Sequence, residues 1–228
     1  MIAGVSDSAI DSAFSTMNDY IAEHTRRGES DFHRGLEQAR THAEENFLSA
    51  PGSAVGALMG TLAAAGASAH GAVAVTPAAG VVGLHILNGL PDKATLTCID
   101  PEAEHQAGAR EAFKVGGFTA SRARFLTARP LDVMSRLAPG SYHLVYADVA
   151  PVDLSALVHA AWPLLAPGGT LVIADSLLDG TVADPTRRDR DTESARAAGG
   201  DVDKLAADEG ALVTRLPLDG GITLLTRR

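Results

Sequence analysis

Gly71-Ala72-Val73-Ala74-Val75-Thr76-Pro77-Ala78-Ala79-Gly80-Val81-Val82-Gly83-Leu84-His85-Ile86-Leu87-Asn88-Gly89-Leu90 reads as strand, tight turn and helix in succession. The small and β-branched run 72–76 suits a parallel strand buried on both faces. Pro77 breaks it, small residues follow, and Gly80 opens an apolar segment of helical length. Such a turn brings a ligand to a helix N-terminus, where unpaired N–H groups favour negative charge. In α/β sheets the turn after the first strand is the usual cofactor contact. A full Gly-x-Gly-x-x-Gly is absent, so on this stretch alone a ligand loop and a plain strand-to-helix turn both stand.

Working outward, the same alternation repeats. Residues 94–100, 123–127, 142–148 and 169–175 have strand character. Between them, 102–115, 131–137 and 152–165 have helical periodicity, the last containing Trp162. A charged loop covers 179–191, and a polar helix follows to about Ala207. This order predicts right-handed βαβ units and a largely parallel sheet. Residues 211–218 and 222–226, joined by Asp219-Gly220-Gly221, predict a terminal hairpin and one antiparallel strand.

Upstream, Pro51-Gly52 starts a helix with Val55, Leu58, Met59 and Leu62 on one face. Residues 1–48 form a helical extension of the α/β domain at 49–228. Its stripes are Ile10, Phe14, Met17 and Ile21, then Phe32, Leu36, Ala39, Ala43 and Phe47. These helices pack on the main domain, or serve as a dimer arm or a lid.

The bulk composition narrows the function. Nineteen basic residues against 28 acidic ones give a net charge of −9. Phosphate contacts need clustered cations, so a nucleic-acid partner is not expected. The only cysteine, Cys98, permits no internal disulfide. With no signal-peptide pattern and no apolar run of about 18 residues, the expected setting is cytoplasmic, away from membrane.

Three strands end in aspartate: Asp100, Asp148 and Asp175. In a parallel sheet these ends share one edge, where α/β folds bind ligands. Each aspartate also suits a helix N-cap worth ~1 kcal/mol. An acid about twenty residues past the first turn can accept two hydrogen bonds from a ribose. Asp148 and Asp175 on neighbouring strands would repel unless a cation lay between them. Hard oxygen ligands of this kind suit Mg²⁺, Mn²⁺ or Ca²⁺, and Ser176 adds a neutral oxygen. The eight histidines include no pair spaced for zinc. Neither a Gly-x-Ser-x-Gly elbow nor a Gly-x-x-x-x-Gly-Lys phosphate loop is present.

From about Ala50 onward the chain resembles the bacterial catechol-type O-methyltransferases that use S-adenosylmethionine. Residues 72–90, 96–113, 143–148, 167–175 with Gly180 to Pro185, and 216–225 carry the likeness. The resemblance implies a seven-stranded Rossmann-like class I methyltransferase fold, a divalent metal, a small-molecule acceptor and a homodimer. It places Asp100 on the acid that holds the cofactor ribose. Asp148 and Asp175 fall on the metal aspartates, Asp148 also being the catalytic and cofactor-side acid. Ser176 falls on the usual metal asparagine, and Ser53 opens the helix against the cofactor's methionine end.

The departures cluster in the cofactor motifs. In the first loop the family's acid is Ala74, its glycines are Thr76 and Ala78, and its serine is Val82; only Gly80 is kept. At the adenine end, Ala128-Arg129-Pro130 replaces Gly-Asp-Ala, and Pro130 has no N–H to offer. The family's Asp-x-Asp-Lys is Asp148-Val149-Ala150-Pro151, so its lysine is missing. Several lost hydrogen bonds at ~0.5–1.5 kcal/mol each would weaken cofactor binding a hundredfold or more, roughly. A methyltransferase-fold binding module for another nucleotide or metabolite is the alternative, with a nicotinamide oxidoreductase behind it. Arg187, Arg188 and Arg190 either gate an acidic or phenolic substrate or lie on a solvated loop.

Overall fold

The computed structural model describes residues 7–25, 30–66 and 70–228. In chain order the helices are α1 (Asp7–Thr25), α2 (Asp31–Glu45), α3 (Ser53–Ala64), α4 (Ala79–Gly89), α5 (Ala103–Val115), α6 (Pro130–Met134), α7 (Leu154–Ala161) and α8 (Arg190–Glu209). The strands are β1 (Gly71–Val75), β2 (Leu96–Asp100), β3 (Ala123–Thr127), β4 (Tyr142–Ala147), β5 (Leu165–Ile173), β6 (Leu212–Leu216) and β7 (Ile222–Thr226). They form one seven-stranded sheet in the order β3-β2-β1-β4-β5-β7-β6. Only β7 runs against its neighbours, pairing antiparallel with β5 and β6. This is the largely parallel sheet expected from the alternation, in the Rossmann-like class I methyltransferase arrangement that the resemblance implies.

β1 lies between β2 and β4 and is buried on both faces. Its alternation splits the core. Ala72 and Ala74 face a cluster built with α2, α3, α4 and α5, while Val73 and Val75 face one built with α7 and α8. Small residues let the first layer come close. A Cβ on Gly83 would run into the Phe113 ring, and one on Gly89 into the Gly60 carbonyl of α3. Cys98, in mid-β2, is sealed in this layer, and burial pushes its thiol far above the ordinary range.

Several expectations need adjusting. Leu36, Ala39 and Ala43 of α2 are buried, but Phe47 is 96% exposed in a left-handed conformation. The reason is that α2 stops at Glu45, before the stripe reaches Phe47. On α1, Met17 is half exposed, whereas the side chains of Ile10 and Phe14 lie outside the described residues. The helix expected over 152–165 is α7 flanked by 3₁₀ turns at Pro151–Asp153 and Trp162–Leu164, because Pro163 cannot continue an α-helix. α8 starts early, with Asp189 accepting a bond from the Thr192 N–H as its N-cap. No helix among the described residues is long and apolar enough to cross a membrane.

His85 of α4 is buried between Phe32 of α2 and Gly56 of α3, and its Nε2 has no hydrogen-bond partner among the described residues. Burial, with Arg40 and His33 nearby, lowers its pKa to about 4. The unfolded chain therefore binds more protons between that value and the ordinary ~6.5, so stability rises with pH across this window. The contribution is complete above the unfolded pKa and is lost as pH falls. In urea unfolding, wild type should lose about 2 kcal/mol more than His85→Gln between pH 7.5 and 5. Equal losses would show that His85 is not held neutral.

Candidate functional site

The sheet order reverses at β1, with β2 and β3 on one side and β4 and β5 on the other. Such a switch point opens a crevice beyond the strand C-termini. Asp100 is the last residue of β2, Thr76 follows β1, Asp148 follows β4, and Asp175 stands two residues beyond β5. The ladder continues past the strands: Asp148 N–H donates to Val75 O at 2.8 Å, and Ala174 N–H to Ala147 O at 2.8 Å. Asp100, Asp148 and Asp175 are thus delivered to one rim.

Across the crevice Thr76 Oγ1 donates to Asp148 Oδ2 at 3.0 Å and accepts from the Ala78 N–H at 3.1 Å. Thr76, in a family glycine position, therefore closes the turn before α4 and anchors the acid. Burial raises the Asp148 pKa to about 6; the Thr76 bond works against this and the charge of Asp175 adds to it. Asp175, in a left-handed conformation, is also raised, first by burial and then by Asp219 and Asp179, against the Gly220 N–H it accepts. Both acids line a cavity of about 40 Å³ with Pro51, Tyr146 and Asp219.

Asp219 was legible only as a turn residue. Its Oδ2 accepts the Gly52 N–H at 2.9 Å, tying the hairpin turn to the start of α3 beside Ser53. Ser176 is turned the other way. Its hydroxyl donates to Gly221 O and Thr223 Oγ1, and it lines a separate pocket with Leu154 and Val202. It is therefore not brought to the cavity of Asp148 and Asp175.

On the β2 side, Asp100 is buried and its Oδ1 accepts the Glu102 N–H at 2.6 Å, with His105 Nδ1 at 3.3 Å. Gln106 braces this end, donating to Asp100 O and Leu126 O and accepting from Thr127 Oγ1. Ala128 continues the rim with its N–H on Asp100 O at 3.3 Å, and Arg129 is exposed. Val82 and Ala78 are buried in the helical layer, and a Cβ on Gly80 would sit 3.2 Å from Cβ of Ala39 in α2. α2 thus lies across the start of α4.

Among the described residues no three His, Cys, Asp or Glu side chains converge as a metal cage. Two carboxylates on one cavity match a hydrated Mg²⁺, which keeps several waters and takes one or two acids. The loop at 179–191 is held from below. Arg196 of α8 donates to the carbonyls of Thr181, Val182, Asp184 and Arg187. Arg187 pairs with Asp189, while Arg188 and Arg190 are exposed.

A methyltransferase-domain family model matches residues 77–176, the segment from the first turn through Asp175. A crystal structure of a Corynebacterium glutamicum protein is 52% identical, with a TM-score of 0.87 over 94% of this chain and 97% of that one. The O-methyltransferase TomG of Streptomyces achromogenes, solved with S-adenosylmethionine, shares the fold at 23% identity, with a TM-score of 0.74 over 85% and 90% of the two chains. A curated relative from Mycolicibacterium vanbaalenii, provisionally named an O-methyltransferase, is 37% identical over 83% of this chain and 82% of its own length. By that similarity, together with the domain match and the sheet order, the chain belongs to the O-methyltransferase family.

Proposed function

We propose that the protein transfers the methyl group of S-adenosylmethionine to a hydroxyl of a small, catechol-like acceptor, with a divalent cation assisting. The observation that carries this is the pairing of Asp148 and Asp175 on one cavity at the switch point, beside the turn where the fold binds nucleosides. In this reading Asp100 receives the ribose, Ser53 and the start of α3 flank the methionine end, and Ala128 and Arg129 border the adenine. Asp148 and Asp175 would hold Mg²⁺, which when bound lowers the pKa of an acceptor hydroxyl and orients it. The chain's own contribution is positioning, since an in-line methyl transfer needs the oxygen and the sulfonium carbon aligned. Pro151 stands where the family has a lysine, so the acceptor's proton leaves through the acid-lined cavity to water.

The reading extends to a cytoplasmic homodimer, with 1–48 an appended helical segment on the 49–228 domain. Half-exposed Met17 and exposed Tyr20 on α1 support that contact. The rival, a binding module without catalysis, is favoured by one set of contacts. Asp100 is already engaged by Glu102 and His105, and Thr76 is closed onto Asp148.

Calorimetric titration with S-adenosylmethionine and S-adenosylhomocysteine, followed by a methyl-transfer assay on catechol with Mg²⁺, separates the two. Micromolar binding with turnover that falls on chelation is expected; binding without turnover supports the module. Asp148→Asn supplies a second check. A carboxylate whose folded pKa is raised binds more protons when folded, between ~3.8 and about 6, so its charge costs stability above that window. The variant should gain about 1–2 kcal/mol at pH 7.5 after allowance for partial solvent screening, and lose transfer. Removing residues 1–26 should convert the dimer to monomer in light scattering; an unchanged mass rejects α1 as the contact.

A further inference from the structure

Tyr146 of β4 lines the cavity of Asp148 and Asp175 together with Asp219. The residue is 2% exposed, yet its hydroxyl makes no hydrogen bond to any described residue. A buried phenol ordinarily finds a partner. Its register partners on the neighbouring strands are Ala74 and Val172, whose side chains offer none. The charges that act on the hydroxyl are those of Asp148, Asp175 and Asp219, so it faces all three acids. We propose that Tyr146 is a specificity-determining residue, donating to an acceptor hydroxyl adjacent to the one that is methylated, while that hydroxyl donates to Asp219. The proposal rests on the O-methyltransferase reading and adds the pair of side chains that selects a vicinal diol over a lone hydroxyl.

Size and hydrogen-bond inventory select the group. A cavity of about 40 Å³ takes a hydroxyl or a few waters but not a ring, so only the oxygen edge of an acceptor enters. A group held between a phenol and a carboxylate must accept from the first and donate to the second. A hydroxyl does both. An ether oxygen cannot donate, an ammonium cannot accept, and a carboxylate would be repelled by three acids. The phenol carries its proton at neutral pH, and burial with the three charges holds it more firmly. Asp219 is the acid left for this bond, since Asp148 and Asp175 serve the cation in the proposed reaction. Its Oδ2 takes the Gly52 N–H at 2.9 Å, and its Oδ1 has no hydrogen-bond partner among the described residues. The Gly52 bond therefore sets the acid in place before the acceptor arrives. A site that hydrogen-bonds a substrate hydroxyl rejects the analogue that lacks it.

Tyr146→Phe removes the hydroxyl and keeps the ring. Calorimetry on the S-adenosylhomocysteine complex with Mg²⁺ compares catechol with phenol, whose single hydroxyl takes the reacting position. The variant weakens catechol about five- to tenfold and leaves phenol and S-adenosylhomocysteine within about twofold. Asp219→Asn keeps an oxygen for the Gly52 N–H and shows the same selective loss. Unchanged catechol affinity in Tyr146→Phe, or equal weakening of catechol and phenol, overturns the proposal and leaves the ring a shape-filling wall. Should Tyr146→Phe fail to fold, Asp219→Asn decides: selective loss of catechol keeps the proposal, and any other result overturns it. A wild-type chain that binds S-adenosylhomocysteine but not catechol overturns the proposal and leaves the methyltransferase reading standing. A wild-type chain that binds no S-adenosylhomocysteine ends the methyltransferase reading. Catechol titrated alone with Mg²⁺ then decides the subsite by itself. Weakening of about fivefold or more in Tyr146→Phe keeps it, and no weakening, or no binding to wild type, overturns it.

Discussion

The pairing of β1 with β2 on one edge and β4 on the other is the constraint from which the rest follows. Both edges and both faces of this five-residue strand are used, so neither neighbour can slip without exposing a core face. Register then dictates chemistry. With Val75 opposite Ala147, the next residue on each strand is Thr76 and Asp148, and their side chains meet. The acid is buried at the crevice because backbone pairing carries it there.

Much of this was legible in the sequence. The alternation of apolar runs with helical periodicity identified the sheet, and strands ending in aspartate identified the rim. What pattern could not reveal was direction after a strand ends. Asp175 takes a left-handed conformation, and that single backbone turn sends Ser176 to the opposite side of the sheet. Asp219 looked like hairpin punctuation, yet it reaches a residue 167 positions earlier in the chain. Each of these depends on a long-range contact, which local periodicity does not encode.

The altered turn after β1 also has its own logic. Glycines there would leave the backbone open to a ligand, whereas Thr76 and Ala78 close it with a hydrogen bond to the chain itself. The crevice is thereby stiffened on the β1 side, while its acids are held in a state that the fold would rather neutralise. A site that stores such a penalty is common where function, rather than stability, dictates the residue. At the other end of the rim the Asp100 carboxylate is fixed in place by the Glu102 N–H and His105.

The sealed position of Cys98 has a practical side. A thiol with no exposed surface and a strongly suppressed thiolate form is inert to maleimides and similar reagents. The outside of the molecule is therefore blank to thiol chemistry among the described residues. One cysteine introduced at a chosen surface position would be a unique handle for a fluorophore or spin label, with no background to engineer away.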